Sequence, residues 1–315
     1  MKNKNVVVIG GGTGTYTVLT GLKKYPVNLT AIVSMADDGG STKILREEFG
    51  ILPPGSVRPA LVALSQAPKT LANLFNFRFD RGSLKGHNFG NLFITALTEH
   101  FSDFEKALEV AGKILQIKGE VIPSTLQGVR LVAKLENGKI VQGEANIDVP
   151  KHDGSLRIRR IWLEPNAGAN PKAISAVKAA DLIVVGPGDL FSSIVPNFLV
   201  KDIAKAFSRS KATKVYVCNI MTKFGETTGF KAHDFLSAIE AYAGKGTVDY
   251  MIINTRKPSS ERIKKYEKER AEFVECNPRH FKGKKAKIIM ENVVRAKGFI
   301  RHDPDKLARI IISLL

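Results

Sequence analysis

The chain has 315 residues, 43% of them hydrophobic, enough for one large core or one core with a small satellite. Lys and Arg number 48 against 30 Asp and Glu, and the formal charge of +18 favours anionic partners: phosphates, nucleotides, nucleic acid or an acidic membrane face. Cys218 and Cys276 are far apart and form no CxxC pair, which argues against a disulfide framework or a Cys-rich zinc site, and no apolar run reaches the roughly 18–20 residues of a membrane span or the length of a signal-peptide core, so the cytoplasm is the expected location.

Val6-Val7-Val8-Ile9 is a continuous apolar run stopped by Gly10-Gly11-Gly12, the pattern of a buried parallel strand. Residues 14–24 carry Tyr16, Val18, Leu19 and Leu22 at helical spacing, and Leu29 to Val33 reads as a second strand. Strand, glycine turn, helix, strand is a βαβ unit. Pro53-Pro54-Gly55-Ser56 is a turn with Ser56 expected to cap a helix, and residues 57–115 read as mainly helical. Asn88 to His100 is one segment, and Asp103 caps another that ends near Leu115.

Residues 117–165 change character. Short alternating runs are broken by Asn137-Gly138 and Asp153-Gly154, both hairpin signals, and the region reads as a small antiparallel β insertion. The α/β pattern then resumes with a helix over Pro171 to Ala180 and a buried strand, Leu182 to Val185. That strand ends in Gly186-Pro187-Gly188-Asp189, and a helix follows from about Pro196. Val215 to Val217 and Val248 to Ile253 are further strands, residues 259–272 a charged helix, and Gly283-Lys284-Lys285 a candidate disordered stretch. Asp303 and Pro304 open the last helix. The expected fold class is α/β: a Rossmann-like, mostly parallel sheet with helices on both faces, residues 1–315 forming a single nucleotide-binding domain.

Gly10-Gly11-Gly12-Thr13-Gly14 follows a strand and opens a helix, so backbone N–H groups there can approach a phosphate. Thr15 breaks the G-x-G-x-x-G fingerprint, and no Walker lysine follows. Asp37 and Asp38 stand just past the second strand. They can accept ribose or base hydrogen bonds, hold Mg²⁺ through the phosphates, or orient a nucleophile. Asp38 is the candidate metal ligand. Gly39, Gly40 and Ser41 add backbone donors, and Arg58 is a candidate phosphate contact, with Arg46 weighed beside it. His87, Asn88 and Asn91 open a helix, either as caps or facing the ligand. Gly186, Pro187, Gly188, Asp189 and Ser192 form a second glycine loop at a strand's carboxyl end, and two such loops on one sheet edge fit one ligand between them. Asn219 and Thr222 close a further strand. The six histidines show no metal-ligand spacing. No nucleic-acid-binding motif and no nucleophile elbow is present.

Taken together these motifs resemble the gluconeogenesis factor (YvcK-like) family, which is related to 2-phospho-L-lactate transferase. The matching residues are Gly10 to Gly14, Gly21-Leu22-Lys23-Lys24-Tyr25-Pro26, Ala36 to Ser41, Pro53-Pro54-Gly55 and Gly86 to Leu92. They continue with Gly143-Glu144, Gly186 to Asn197, Asn219 to Thr222 and Gly225-Glu226-Thr227. The resemblance implies a Rossmann-like fold and a UDP-sugar ligand such as UDP-N-acetylglucosamine, with Tyr266 and Arg301 at positions that contact the sugar nucleotide. It implies a link to cell shape and envelope growth on gluconeogenic carbon. Asn88 stands where serine is common, and Lys223-Phe224 replaces a more usual Gln-Pro.

The preferred reading is a regulator that binds a nucleotide-sugar and acts on a partner enzyme of amino-sugar metabolism. The alternative is a Mg²⁺-assisted phosphoryl or nucleotidyl transferase, with Asp37 or Asp38 as catalytic groups. The expected partners are the nucleotide or UDP-sugar ligand, that metabolic enzyme and further copies of this chain, with no membrane span and no specific nucleic acid.

Overall fold

The computed structural model describes residues 3–315. Strands β1 (Lys4–Gly10) and β2 (Val27–Val33) pair in parallel, Val8 beside Ala31, with helix α1 (Gly12–Leu22) between them in the chain. This is the predicted βαβ unit. Val6 to Ile9 are all buried, as a strand covered on both faces requires.

Five helices follow: α2 (Gly40–Phe49), α3 (Pro54–Leu64), α4 (Lys69–Asn76), α5 (Phe89–Phe101) and α6 (Phe104–Ile114). Ser56 is not the cap expected of it. Pro53 takes that place and Pro54, with φ already set for a helix, starts the first turn. Asn88 and Asp103 do cap α5 and α6, accepting from the backbone N–H groups of Asn91 and Lys106.

Strand β3 (Glu120–Pro123) joins the main sheet beside β2, so the antiparallel insertion begins later than residue 117. It consists of β4 (Arg130–Leu135), β5 (Ile140–Gln142) and β6 (Ile158–Glu164), with β4 in the centre. Asn137-Gly138 makes the expected turn between β4 and β5. Asp153-Gly154 does not make a hairpin, because a short helix, α7 (Glu144–Asp148), and a loop separate β5 from β6.

Helix α8 (Pro171–Ala179) leads to β7 (Leu182–Val185). A tight π-type turn over Leu190–Ile194 precedes α9 (Val195–Leu199), so the chain coils before Pro196. Then come α10 (Ile203–Arg209), β8 (Thr213–Val217), α11 (Ala232–Ala243) and β9 (Tyr250–Asn254). Helix α12 spans Ser260–Glu267, shorter than predicted, and α13 spans Pro304–Ile312. The stretch around Gly283 is an ordered turn. Lys285 pairs with Asp249 at 2.8 Å, and β10 (Lys287–Glu291) follows it into the sheet.

The main sheet has seven parallel strands in the order β10-β9-β8-β7-β1-β2-β3. Alternate residues feed two cores. Val7, Ile9, Ile183 and Val185 face α8, α9, α10, α11 and the small sheet; Val6, Val8, Leu182 and Val184 face α1, α3, α5 and α13. The chain leaves β1 toward β2 on one side, while β7 lies on the other. The order therefore reverses between β1 and β7, and the crevice outside their carboxyl ends is where such sheets hold ligands.

Candidate functional site

The two glycine turns meet in that crevice. A Cβ on Gly14 would overlap the Pro187 carbonyl, and one on Gly11 would stand 3.4 Å from the Ser193 carbonyl. Gly186 N–H donates to Ile9 O at 3.0 Å. Gly12 has φ +61, a conformation glycine takes without strain. Asn197 on α9 ties the turns together, its amide donating to Gly10 O at 3.3 Å and Ser193 O at 3.1 Å. No side chain caps α1: Gly11, extended at φ −172, holds the cap position. The positive end of the helix dipole therefore opens on the crevice.

The crevice widens into a cleft of about 1240 Å³. Gly11, Gly12, Thr13 and Gly14 line one wall, and Pro187, Gly188, Asp189 and Ser193 the next. Asn219 and Thr222, past β8, form the floor. Asn219 donates to Gly188 O at 2.9 Å and so holds the second glycine turn, while its buried Oδ1 has no partner among the described residues. Thr222 Oγ1 accepts from Glu272 N–H at 2.8 Å.

The outer wall is α12 with the loop 295–302. Tyr266 OH accepts from Ile300 N–H at 2.9 Å. Arg262 donates to the carbonyls of Arg295 (2.9 Å), Gly298 (3.1 Å) and Phe299 (3.0 Å). Phe299 is 72% exposed, the most exposed of the large apolar side chains among the described residues, and the Arg301 guanidinium lies 5.3 Å from its ring. Ile263, Tyr266, Ile220, Met221, Val294 and Ile300 form a third small apolar cluster that seats this wall on the body. Lysine and arginine side chains outnumber carboxylates seven to four around the cleft.

Carboxylates gather at one end of it. Asp148 at the end of α7, Asp189 on the second glycine turn and Glu226 place oxygens within 4.8 Å of one another. Lys223 Nζ lies 3.0 Å from Asp148 and 3.8 Å from Asp189. Glu226 is buried, which raises its carboxyl to about 8 even though Ser192 Oγ and the N–H groups of Phe191 and Ser192 donate to it. Glu144 is pushed up to about 9, first by burial and then by Asp37, Asp148 and Asp38, so it is neutral at pH 7.

Of the residues singled out by sequence, Gly11 to Gly14, Pro187, Gly188, Asp189, Asn219, Thr222, Tyr266 and Arg301 line this one cleft. Ser192 does not. It is buried and donates to Glu226, and Ser193 takes its place in the wall. Asp37, Asp38, Gly39 to Ser41, Arg58, His87, Asn88 and Asn91 stand outside the cleft. Several of them form a second constellation around α2, α3 and α5. Asp37 accepts from Gly39 N–H (3.0 Å) and Thr42 Oγ1 (2.9 Å), and burial raises its carboxyl. Arg58 donates to Asn91 at 3.0 Å and to Asn76, and burial lowers it to about 10. His87 Nδ1 meets Ser41 Oγ at 3.1 Å. Sequence reading missed Arg262 and Phe299, for which no local motif exists, and it had no means of pairing Lys223 with Asp148.

A family profile described as 2-phospho-L-lactate transferase CofD matches residues 6–294. The gluconeogenesis factor of Halalkalibacterium halodurans is 42% identical over 318 residues, spanning 99% of this chain and 97% of that protein. That of Bacillus subtilis is 39% identical over 313 residues, spanning 98% of each. The chain belongs to the CofD family, in its gluconeogenesis-factor branch. A crystal structure of a UPF0052-family protein from Bacillus halodurans shares the fold with a TM-score of 0.94 at 40% identity, covering 99% of each chain.

Family membership raises the question of a metal in the cleft, and the side chains do not fit one. Asp38, the sequence candidate, is outside the cleft and accepts Ala145 N–H at 2.8 Å, serving as the cap that α7 lacks at Gly143. Asp37 spends both oxygens on Gly39 and Thr42. The trio of Asp148, Asp189 and Glu226 already contains the Lys223 ammonium. Among the described residues no helix is long and apolar enough to cross a membrane.

Proposed function

We propose that the cleft binds a nucleoside diphosphate sugar of the UDP-N-acetylglucosamine type. The observation that carries this reading is the contact between the two glycine turns at the point where strand order reverses, with the uncapped end of α1 opening on them. The diphosphate sits against residues 11–14 and 188–193. Tyr266 and Phe299 cover base and sugar, Phe299 offering a ring face on which a base can stack, and Arg301 reaches the ligand from the fixed side. A volume of about 1240 Å³ exceeds the roughly 300–1,000 Å³ of ordinary small-ligand sites and suits a bulky ligand.

The protein acts in the cytoplasm as a regulator. Bound sugar nucleotide biases it toward or away from an enzyme of amino-sugar metabolism, and so affects envelope growth and cell shape on gluconeogenic carbon. The name gluconeogenesis factor, carried by the Halalkalibacterium halodurans and Bacillus subtilis relatives, supports the link to gluconeogenic carbon. Such a bias requires different ligand affinity in the two states. Calorimetric titration with UDP-N-acetylglucosamine is expected to show saturable binding. Absence of heat at millimolar ligand, with the protein folded, removes the proposal.

The family profile favours a second reading, a transferase of phosphorus-containing groups. Incubation with nucleoside triphosphates, sugar phosphates and Mg²⁺ separates the two. Turnover of any of these substrates by the unaltered protein supports the transferase, and its absence with ligand binding intact supports the regulator.

A further inference from the structure

The structure assigns Lys223 the place of a divalent cation: we infer that the cleft holds its phosphate-bearing ligand without Mg²⁺. The inference deepens the nucleotide reading and rests on it for the ligand.

Asp148, Asp189 and Glu226 come from three separate segments and bring their oxygens within 4.8 Å of one another, close enough for one small cation. That cation is present as part of the chain. Lys223 Nζ stands 3.0 Å from Asp148 Oδ1 and 3.8 Å from Asp189 Oδ2. Burial alone would lower the ammonium's pKa; Asp189 and Asp148 overcome it and hold the group charged. The lysine backbone is fixed as well, its N–H donating to Thr227 Oγ1 at 2.8 Å and its carbonyl accepting from Thr227 N–H at 2.8 Å.

The third carboxylate is spent elsewhere. Glu226 accepts from Phe191 N–H (2.7 Å), Ser192 N–H (3.1 Å) and Ser192 Oγ (2.7 Å), and so holds the turn after β7. Mg²⁺ requires near-octahedral oxygens at about 2.0–2.1 Å. Here it would have to strip Glu226 of its donors and approach an ammonium that two aspartates retain.

Lys223, Asp148 and Asp189 line the cleft next to Pro187 and Gly188. The ammonium therefore stands beside the turn that would meet the diphosphate, as a fixed counter-charge. An ammonium donates hydrogen bonds to phosphate oxygens. It cannot take them into an inner coordination sphere, so it favours holding a diphosphate over activating it.

The test compares Mn²⁺ uptake, followed by electron paramagnetic resonance of the free ion, in the unaltered protein and in Lys223→Met. Repulsion between a divalent ion and an ammonium about 4 Å away is worth roughly thirtyfold in affinity even at the dielectric constant of water. Lys223→Met is therefore expected to bind one Mn²⁺ at least about tenfold more tightly than the unaltered chain, and Asp148→Asn added to it is expected to abolish the gain. A second measurement needs no variant. UDP titrated into the unaltered protein is expected to bind within about twofold equally in Mg²⁺ and in EDTA, because the counter-charge is covalently attached. The inference is overturned if both forms take up Mn²⁺ alike, if Lys223→Met takes up none, or if EDTA weakens UDP binding about tenfold or more. If UDP binds in neither buffer, the nucleotide reading falls and the Mn²⁺ comparison alone decides the role of Lys223.

Discussion

Replacing Arg262 by Ala tests how the outer wall of the cleft is held. Its guanidinium donates to three carbonyls of the loop 295–299, at 2.9 to 3.1 Å. A hydrogen bond to a charged group contributes roughly 1.5–3 kcal/mol when well buried. Two of these bonds are exposed and the one to Arg295 is partly buried, so about 0.7 kcal/mol each is a fairer figure, giving about 2 kcal/mol for the set. Little else holds α12. None of its residues is buried, and Tyr266 OH with the small apolar cluster supplies the rest. A loss of about 2 kcal/mol raises the population of the open wall roughly thirtyfold. Hydrogen exchange read by mass spectrometry should therefore speed up by that order over residues 260–267 and 295–299. The melting temperature should hardly move, because both large cores lie elsewhere. UDP affinity should fall with the wall. Unchanged exchange in these segments, or a collapse of global stability, would refute the assignment of Arg262 as the strut.

Three further outcomes are expected. Gly14→Ala places a methyl group on the Pro187 carbonyl and must part the two turns, costing about 1–3 kcal/mol in urea unfolding together with UDP affinity. Phe299→Ala should weaken UDP binding roughly five- to 150-fold and leave pyrophosphate binding unchanged, while Phe299→Tyr retains both; equal loss of UDP and pyrophosphate would show that the ring meets no base. His302 is buried and donates Nε2–H to Cys218 O at 3.0 Å, and burial lowers its pKa to about 4. The unfolded chain takes up that proton near 6.5, so the contribution of His302 is complete above pH 6.5 and drains away as pH falls toward 4, by roughly 3 kcal/mol. Urea titrations at pH 7.5 and 4.5 should show the unaltered protein losing about that much more than His302→Gln.

Local pattern made the centre of the fold legible. A four-residue apolar run, three glycines and a 3.6-residue period identify β1 and α1, because strand burial and helix amphipathicity are each written within a dozen residues. The second glycine turn was legible for the same reason, and family resemblance added Tyr266 and Arg301. The edge of the sheet was harder. Glu120 to Pro123 is only four residues long, and nothing local says that it pairs with β2 and not with the hairpin that follows. The division of the polar residues into two places was not legible at all. Asp37 and Gly11 both follow strands of the same sheet edge, yet Thr42, Gly39 and the cap of α7 claim the aspartates. Phe299 carries no motif, and its place on the wall comes from Arg262 and Tyr266, more than thirty residues earlier.

The packing of α13 on α1 sets how the cleft can move. A Cβ on Gly21 would overlap the Pro304 carbonyl, so the two helices lie nearly backbone to backbone. His302 is bonded to Cys218 O, and Asp303 N–H donates to Val293 O at 2.7 Å. Arg301 thus hangs from the same rigid block as the first glycine turn, and the distance between them is set at folding. The jaw free to swing is α12. Ligand entry and escape then depend on the displacement of one eight-residue helix, a lid opening of microseconds or longer, and exchange need not wait for a rearrangement of the two large cores.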